Sequence, residues 1–221
     1  MIESAGNDII DLATINIQRT TQKRFYTKFI TGTETLLYSN PNLANLPFEH
    51  FVWLLWSAKE SVYKFVQRHQ SGLVFSPSKI IITQIIPPAS TPGAGTVLPV
   101  ETLGFGNQQT YNMTVVFGAD VFYTSSIITT GYIHTAANNH QSFDRVHWGV
   151  RQVAQSDAAF QSLQVRKFIL DKLALVTHKN NLNIVKNSGG CPILFSGAEE
   201  INQPLSLAHH GHYVAYVFPE K

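Results

Sequence analysis

Cysteine is nearly missing from this sequence: Cys191 stands alone among 221 residues, so no intramolecular disulfide framework can form. Charge is sparse too. Asp, Glu, Lys and Arg together make up 14% of the chain, and the formal net charge of +2 is too small to imply nucleic-acid binding by itself. No apolar run approaches the roughly 20 residues that cross a bilayer. Glu3, Asn7, Asp8 and Asp11 interrupt the first apolar stretch, so no signal peptide is expected. Internal repeats and low-complexity tracts are also lacking. These absences argue against a secreted disulfide scaffold, a membrane protein and a disordered tail, and a cytoplasmic protein is the plain expectation. What is there is a hydrophobic content of 44%, in a chain long enough to bury one sizeable core.

The pattern along the chain predicts α+β architecture, with helices segregated from an antiparallel sheet. GNDIIDLATINI, after a start at Gly6, reads as an extended strand. Arg19, Lys23, Arg24 and Lys28 follow at helical or near-helical spacing, interleaved with Phe25, Tyr26 and Phe29, which predicts one basic stripe. Thr31 with Glu34 three residues later predicts a capped helix start. The strongest helix is predicted over 47–68, with Pro47 at its first position and an apolar face running from Phe51 to Val66. Over 79–135, β-branched and aromatic segments separated by Pro and Gly predict strands and hairpins, with a loop over 87–106. A second helix is predicted over 156–176, capped by Ser156, and short strands close the chain: NLNIVKN, PILFS and LSLAHHGHYVAYVF.

Three stretches carry candidate chemistry. In GNDIID, Asp8 lies beside Ile9 and Ile10; a carboxylate buried in a strand needs a partner or a metal, unless it simply caps a turn after Gly6. In WSAKESVYK, Glu60 and Lys64 are four apart on one helical face. They can hold a magnesium ion and a phosphate together, or form an ordinary surface pair. In SLAHHGHY, three histidines crowd together, but their spacing matches no standard zinc pattern, and one histidine facing a phosphate is the better reading.

The order of these stretches resembles the 4'-phosphopantetheinyl transferase superfamily, in particular the holo-acyl-carrier-protein synthase type. GNDIIDL resembles the Gly-x-Asp element that opens those enzymes. WSAKESVYK resembles their aromatic-x-x-Lys-Glu-x-x-x-Lys helix, GGCPILF their Gly-x-Pro segment, and PLSLAHHGHYVAYVF their final Ser-x-Ser-His strand. The resemblance covers about the first eighty residues and the last thirty-five. It implies a single transferase domain over 1–221 with a long insertion, β-rich and then helical, over 79–185.

By that resemblance, the chain moves phosphopantetheine from coenzyme A to a serine of an apo acyl or peptidyl carrier protein, releasing 3',5'-ADP. Asp8 and Glu60 would bind Mg2+ at the pyrophosphate. Lys64 would contact that phosphate, and Lys59, His209 and Ser206 would also touch the coenzyme. Asp8, Glu60 and Lys64 together form the implied catalytic set, with Glu60 able to take the serine proton. Arg19, Arg24 and Lys28 would dock the acidic carrier protein. Two departures stand out: Ala208 replaces the second serine of the final strand, and Ile10 sits where larger relatives place an acidic ligand. The short synthases further imply a site shared between subunits, in a trimer with His209 supplied by a neighbour, unless the inserted region acts as an internal second half and leaves a monomer. Two rival readings remain. One is a non-catalytic relative that binds coenzyme A or a carrier protein; the other is a zinc protein using His209, His210 and His212.

Overall fold

A computed structural model describes residues 4–70, 72–89, 101–106 and 109–220. Part of the predicted 87–106 loop, 90–100, lies outside the described residues. The described chain mixes helices with antiparallel sheets.

Strand β1 (Gly6–Asp11) leads into two one-turn helices, α1 (Ile17–Thr20) and α2 (Lys23–Tyr26). The basic segment therefore breaks at Thr21 and Gln22 instead of running as one helix. Helix α3 (Gly32–Leu37) starts with the capping box expected from Thr31 and Glu34. The long helix α4 spans Phe48–Gln67 with Pro47 as its cap, one position earlier than the sequence places it. Strands β2 (Ile80–Ile86), β3 (Glu101–Leu103), β4 (Tyr111–Phe117), β5 (Asp120–Ile128), β6 (Tyr132–Asn138) and β7 (Val146–Gln152) follow. Helix α5 (Ala158–Thr177) is capped by Asp157, whose carboxylate accepts the Phe160 N–H, and not by Ser156. The chain finishes with β8 (Leu182–Lys186), β9 (Pro192–Ser196), β10 (Glu199–Ile201), β11 (Ser206–His210) and β12 (Tyr213–Pro219). The last predicted strand is thus a hairpin, turned at Gly211 with φ of 56°.

One sheet has the order β1-β6-β5-β4-β2, a second β11-β12-β7-β3, and a third β10-β9-β8. The same plan appears twice. In each half a strand precedes a long helix (β1 and α4, then β7 and α5), and that strand pairs with the last strand of its own half (β6, then β12). Residues 79–185 supply β2 to β7, α5 and nearly all of β8, so they complete the sheet of the first half and contribute β3, β7, β8 and α5 to the second.

Strand β1 is buried along its whole length because both its faces are covered. Ile10 belongs to the apolar cluster under α4, with Leu55, Val62 and Ile133. Ile9, its neighbour on the opposite face, packs with Ala208, Ala215 and Trp148 of the second half. Gly6 lets β1 approach α4 closely: a Cβ there would lie 2.8 Å from the Phe65 backbone nitrogen and collide with the Ser61 carbonyl. Strand β1 therefore sits between a helix of its own half and a hairpin of the other.

Candidate active site

Asp8 projects from β1 toward α4, where Glu60 and Lys64 share one face a turn apart. The Lys64 Nζ lies 3.1 Å from Glu60 Oε1 and 3.3 Å from Asp8 Oδ1. The Trp56 indole N–H donates to Glu60 Oε2 at 3.0 Å, so residues one turn before and one turn after hold the Glu60 carboxylate. Asp8 Oδ2 is buried without any hydrogen-bond partner. Burial first, then the nearby Glu60 charge, push the Asp8 pKa up to about 7, against the opposing pull of Lys64. Two carboxylates and one ammonium thus stand together with a buried carboxylate oxygen left over.

This constellation opens into a cleft of about 290 Å³ between the halves. Its walls include Lys64 and Arg68 from α4, Lys186 and Cys191 around the 187–191 turn, and Ser206 and His209 from β11. Positive groups outnumber the single lining carboxylate, Glu60, so the cleft suits an anion. Partial burial, then the charges of Lys64 and Lys186, hold the His209 pKa below its ordinary value. That shift favours the neutral imidazole.

The structure separates the sequence-predicted residues. Glu60, Lys64, Ser206 and His209 line one cleft, and Asp8 pairs with Lys64 beside it. Ser206 also fastens the halves together, because its hydroxyl accepts the Asn7 N–H at 3.0 Å; its own proton stays available to a ligand. Lys59 does not reach the cleft, which corrects its assignment to the coenzyme. Its ammonium is 0% exposed and pairs with Glu34 at 2.7 Å, while donating to the Pro77 carbonyl at 3.0 Å. The reason is rotational: successive helical residues point about 100° apart, so the neighbour of Glu60 faces the core.

The histidine trio does not form a zinc site. Among the described residues no group of three His, Cys, Asp or Glu side chains could hold a metal. His210 Nδ1 accepts the Asp11 N–H at 2.9 Å, and the Asp11 carboxylate accepts the His212 N–H at 2.8 Å. Only His209 faces the cleft. Ala208 is buried among apolar residues between the sheets, so no hydroxyl is offered there. Arg19, Arg24 and Lys28 are all exposed, on and beside the two short helices. Phe29, next to Lys28, packs edge-on against Trp56 at 5.0 Å, which links that basic patch to the Glu60 end of the cleft.

Sequence reasoning overlooked Arg68. Yet Trp56, Glu60, Lys64 and Arg68 recur every four residues, a spacing that places them along one helical face. Lys186 and Cys191 were also missed; they flank the Gly-Gly turn before Pro192.

Residues 4–102 match the 4'-phosphopantetheinyl transferase superfamily. That stretch of the chain is similar to the domain of that superfamily. The matched stretch includes Asp8, Glu60 and Lys64, whereas Ser206 and His209 lie beyond it. No curated protein and no solved structure matches the chain. That similarity supports phosphopantetheine transfer in general terms. Among the described residues no helix is long and apolar enough to cross a membrane.

Proposed function

We propose that this chain is an Mg2+-dependent holo-acyl-carrier-protein synthase that transfers 4'-phosphopantetheine from coenzyme A to a serine of an apo acyl or peptidyl carrier protein. The observation that carries the reading is the partnerless Asp8 Oδ2, buried beside Lys64, which with Glu60 lines a cation-rich cleft. A buried carboxylate oxygen without a donor is costly, and a hard cation answers that cost. Two carboxylates with the other positions left to water and phosphate suit magnesium better than zinc.

Magnesium bound by Asp8 and Glu60 would neutralise pyrophosphate charge and align the leaving group. The other roles belong to side chains. Lys64, already drawn toward both carboxylates, would turn its ammonium to the phosphate whose charge grows as 3',5'-ADP departs. Glu60, half-exposed, is the carboxylate positioned to take the proton of the incoming serine hydroxyl. His209 and Ser206 would hold the coenzyme from the opposite wall. Arg19, Arg24 and Lys28 would receive the acidic carrier protein, and their link to Trp56 favours a serine delivered from the Glu60 side.

Because His209 and Glu60 line one cleft of a single chain, no neighbouring subunit is required to supply the histidine. A trimer then loses the reason that the short synthases lend it, and we infer an active monomer. Release of 3',5'-ADP from coenzyme A, followed by chromatography, should require both an apo carrier protein and magnesium. Release independent of either would contradict the proposal.

A further inference from the structure

Arg68 ends α4, two turns beyond Glu60, and reaches across the cleft into the second half of the chain. Its Nη2 donates to the Pro192 carbonyl at 3.1 Å and to the Leu205 carbonyl. Gln67, beside it, donates from Nε2 to the Gly189 carbonyl at 3.1 Å. The end of the helix that carries Glu60 and Lys64 therefore grips both sides of the turn at 189–192.

The Leu205 contact matters most. Leu205 directly precedes Ser206, whose hydroxyl accepts the Asn7 N–H. Two consecutive residues at the start of β11 are thus fastened to α4 and to β1, the two elements that carry Glu60 and Asp8. The far end of β11 is fastened by Asp11, through His210 and His212. His209 lies between these fixed ends. Among the described residues no carboxylate pairs with Arg68, so no ion pair competes with the two carbonyls for its guanidinium. A guanidinium stays charged at every working pH and its fork keeps a fixed geometry. Charge-assisted hydrogen bonds are the stronger kind.

We infer that Arg68 is a positioning residue for the transfer: it sets the spacing between the Asp8–Glu60–Lys64 wall and the His209 wall, so that one coenzyme A molecule is held by both. The inference rests on the transferase reading. It makes Arg68 act through Leu205 and Pro192, with no contact to the reacting phosphate required.

The test compares the full-length wild type with Arg68→Met and Arg68→Lys in steady-state transfer, coenzyme A calorimetry and thermal unfolding. Arg68→Met should raise the KM and Kd for coenzyme A about tenfold or more, the scale expected for a misplaced binding wall. Its kcat at saturating coenzyme should fall much less. Arg68→Lys, which keeps the charge and a donor, should recover part of the affinity. A merely structural role would reduce the amount of folded enzyme and lower kcat with KM and Kd unchanged, and that result overturns the inference. Should Arg68→Met fail to fold, Arg68→Lys decides: a raised KM supports positioning and an unchanged KM contradicts it. Wild type that neither binds coenzyme A nor releases 3',5'-ADP would overturn the transferase reading and this inference with it. Wild-type turnover with unaltered Arg68 variants would overturn the inference alone.

Discussion

Asp8 is a charge held in the wrong place for stability. Native Asp8 keeps its proton up to about pH 7, whereas an unfolded aspartate releases it near 4. Between those values the native state binds more protons than the unfolded state, so the metal-free protein should lose stability as pH rises through that window. Thermal unfolding at a series of pH values should show this decline. Asp8→Asn should flatten it and raise the melting temperature at neutral pH, while abolishing transfer. Glu60→Gln should cut transfer about a hundredfold or more, on the scale of losing a transition-state electrostatic contact, with little change in melting temperature. Comparable activity in that variant would contradict the assignment. Lys59, one residue away, behaves in the opposite manner. Breaking its buried pair with Glu34 through Lys59→Met should cost about 3–5 kcal/mol in denaturant unfolding. Asp8, Glu60 and Lys64 were singled out in the sequence by the resemblance of their stretches to the transferase motifs, since each stretch alone also fits a capped turn or a surface pair, and the structure brings the three together. The burial of Lys59 was not, since spacing tells which residues share a face and not what that face meets.

Helix α4 and strand β1 form the rigid frame of the site, and Gly6 sets their separation. Gly6→Ala would place a methyl against the α4 backbone at Ser61 and Phe65, where neither atom can swing aside. A loss of about 1–3 kcal/mol or more follows from overpacking, together with a weakened Asp8–Lys64 contact. Denaturant unfolding and transfer assays should both register it. Helix α4 was legible to within a residue because its apolar face repeats over five turns. The Thr31 cap was equally plain, since Thr and Glu at that spacing satisfy each other's backbone donors. Strands β2, β4, β5 and β6 were legible as strands but not in their pairing, whereas β3 falls in the predicted 87–106 loop and β7 lies beyond the segments read as strands. β6 joins β1 from more than a hundred residues away, and partners that distant leave no local mark on either segment. The final hairpin escaped notice for a related reason: Gly211 is a single glycine among histidines, and only Asp11, lying against it, shows why a side chain has no room there.

At the scale of the whole molecule, two halves of one plan share a single cleft and have divided the labour. Gly149 on β7 repeats the close approach of Gly6, lying against Phe168 of α5 and Tyr216. Two residues on from Gly149, however, stands Arg151, its guanidinium 3.9 Å from the centre of the Phe168 ring, where β1 carries Asp8. The first half supplies the carboxylates and the second supplies Ser206, His209 and Lys186. This arrangement could not be read from motifs alone, because they mark the two walls without showing that α5 and β7, from within 79–185, pack behind the second. Light scattering during turnover should therefore find the full activity in a monomer, and activity confined to a trimer would contradict the single-chain cleft. The most direct test of the central claim is the intact mass of an apo acyl carrier protein incubated with this chain, coenzyme A and magnesium. A gain of one phosphopantetheine arm, lost with EDTA and with Asp8→Ala, is the predicted result. An unchanged mass across acyl and peptidyl carriers, with coenzyme A still bound, would contradict the transferase and leave a protein that only binds the coenzyme.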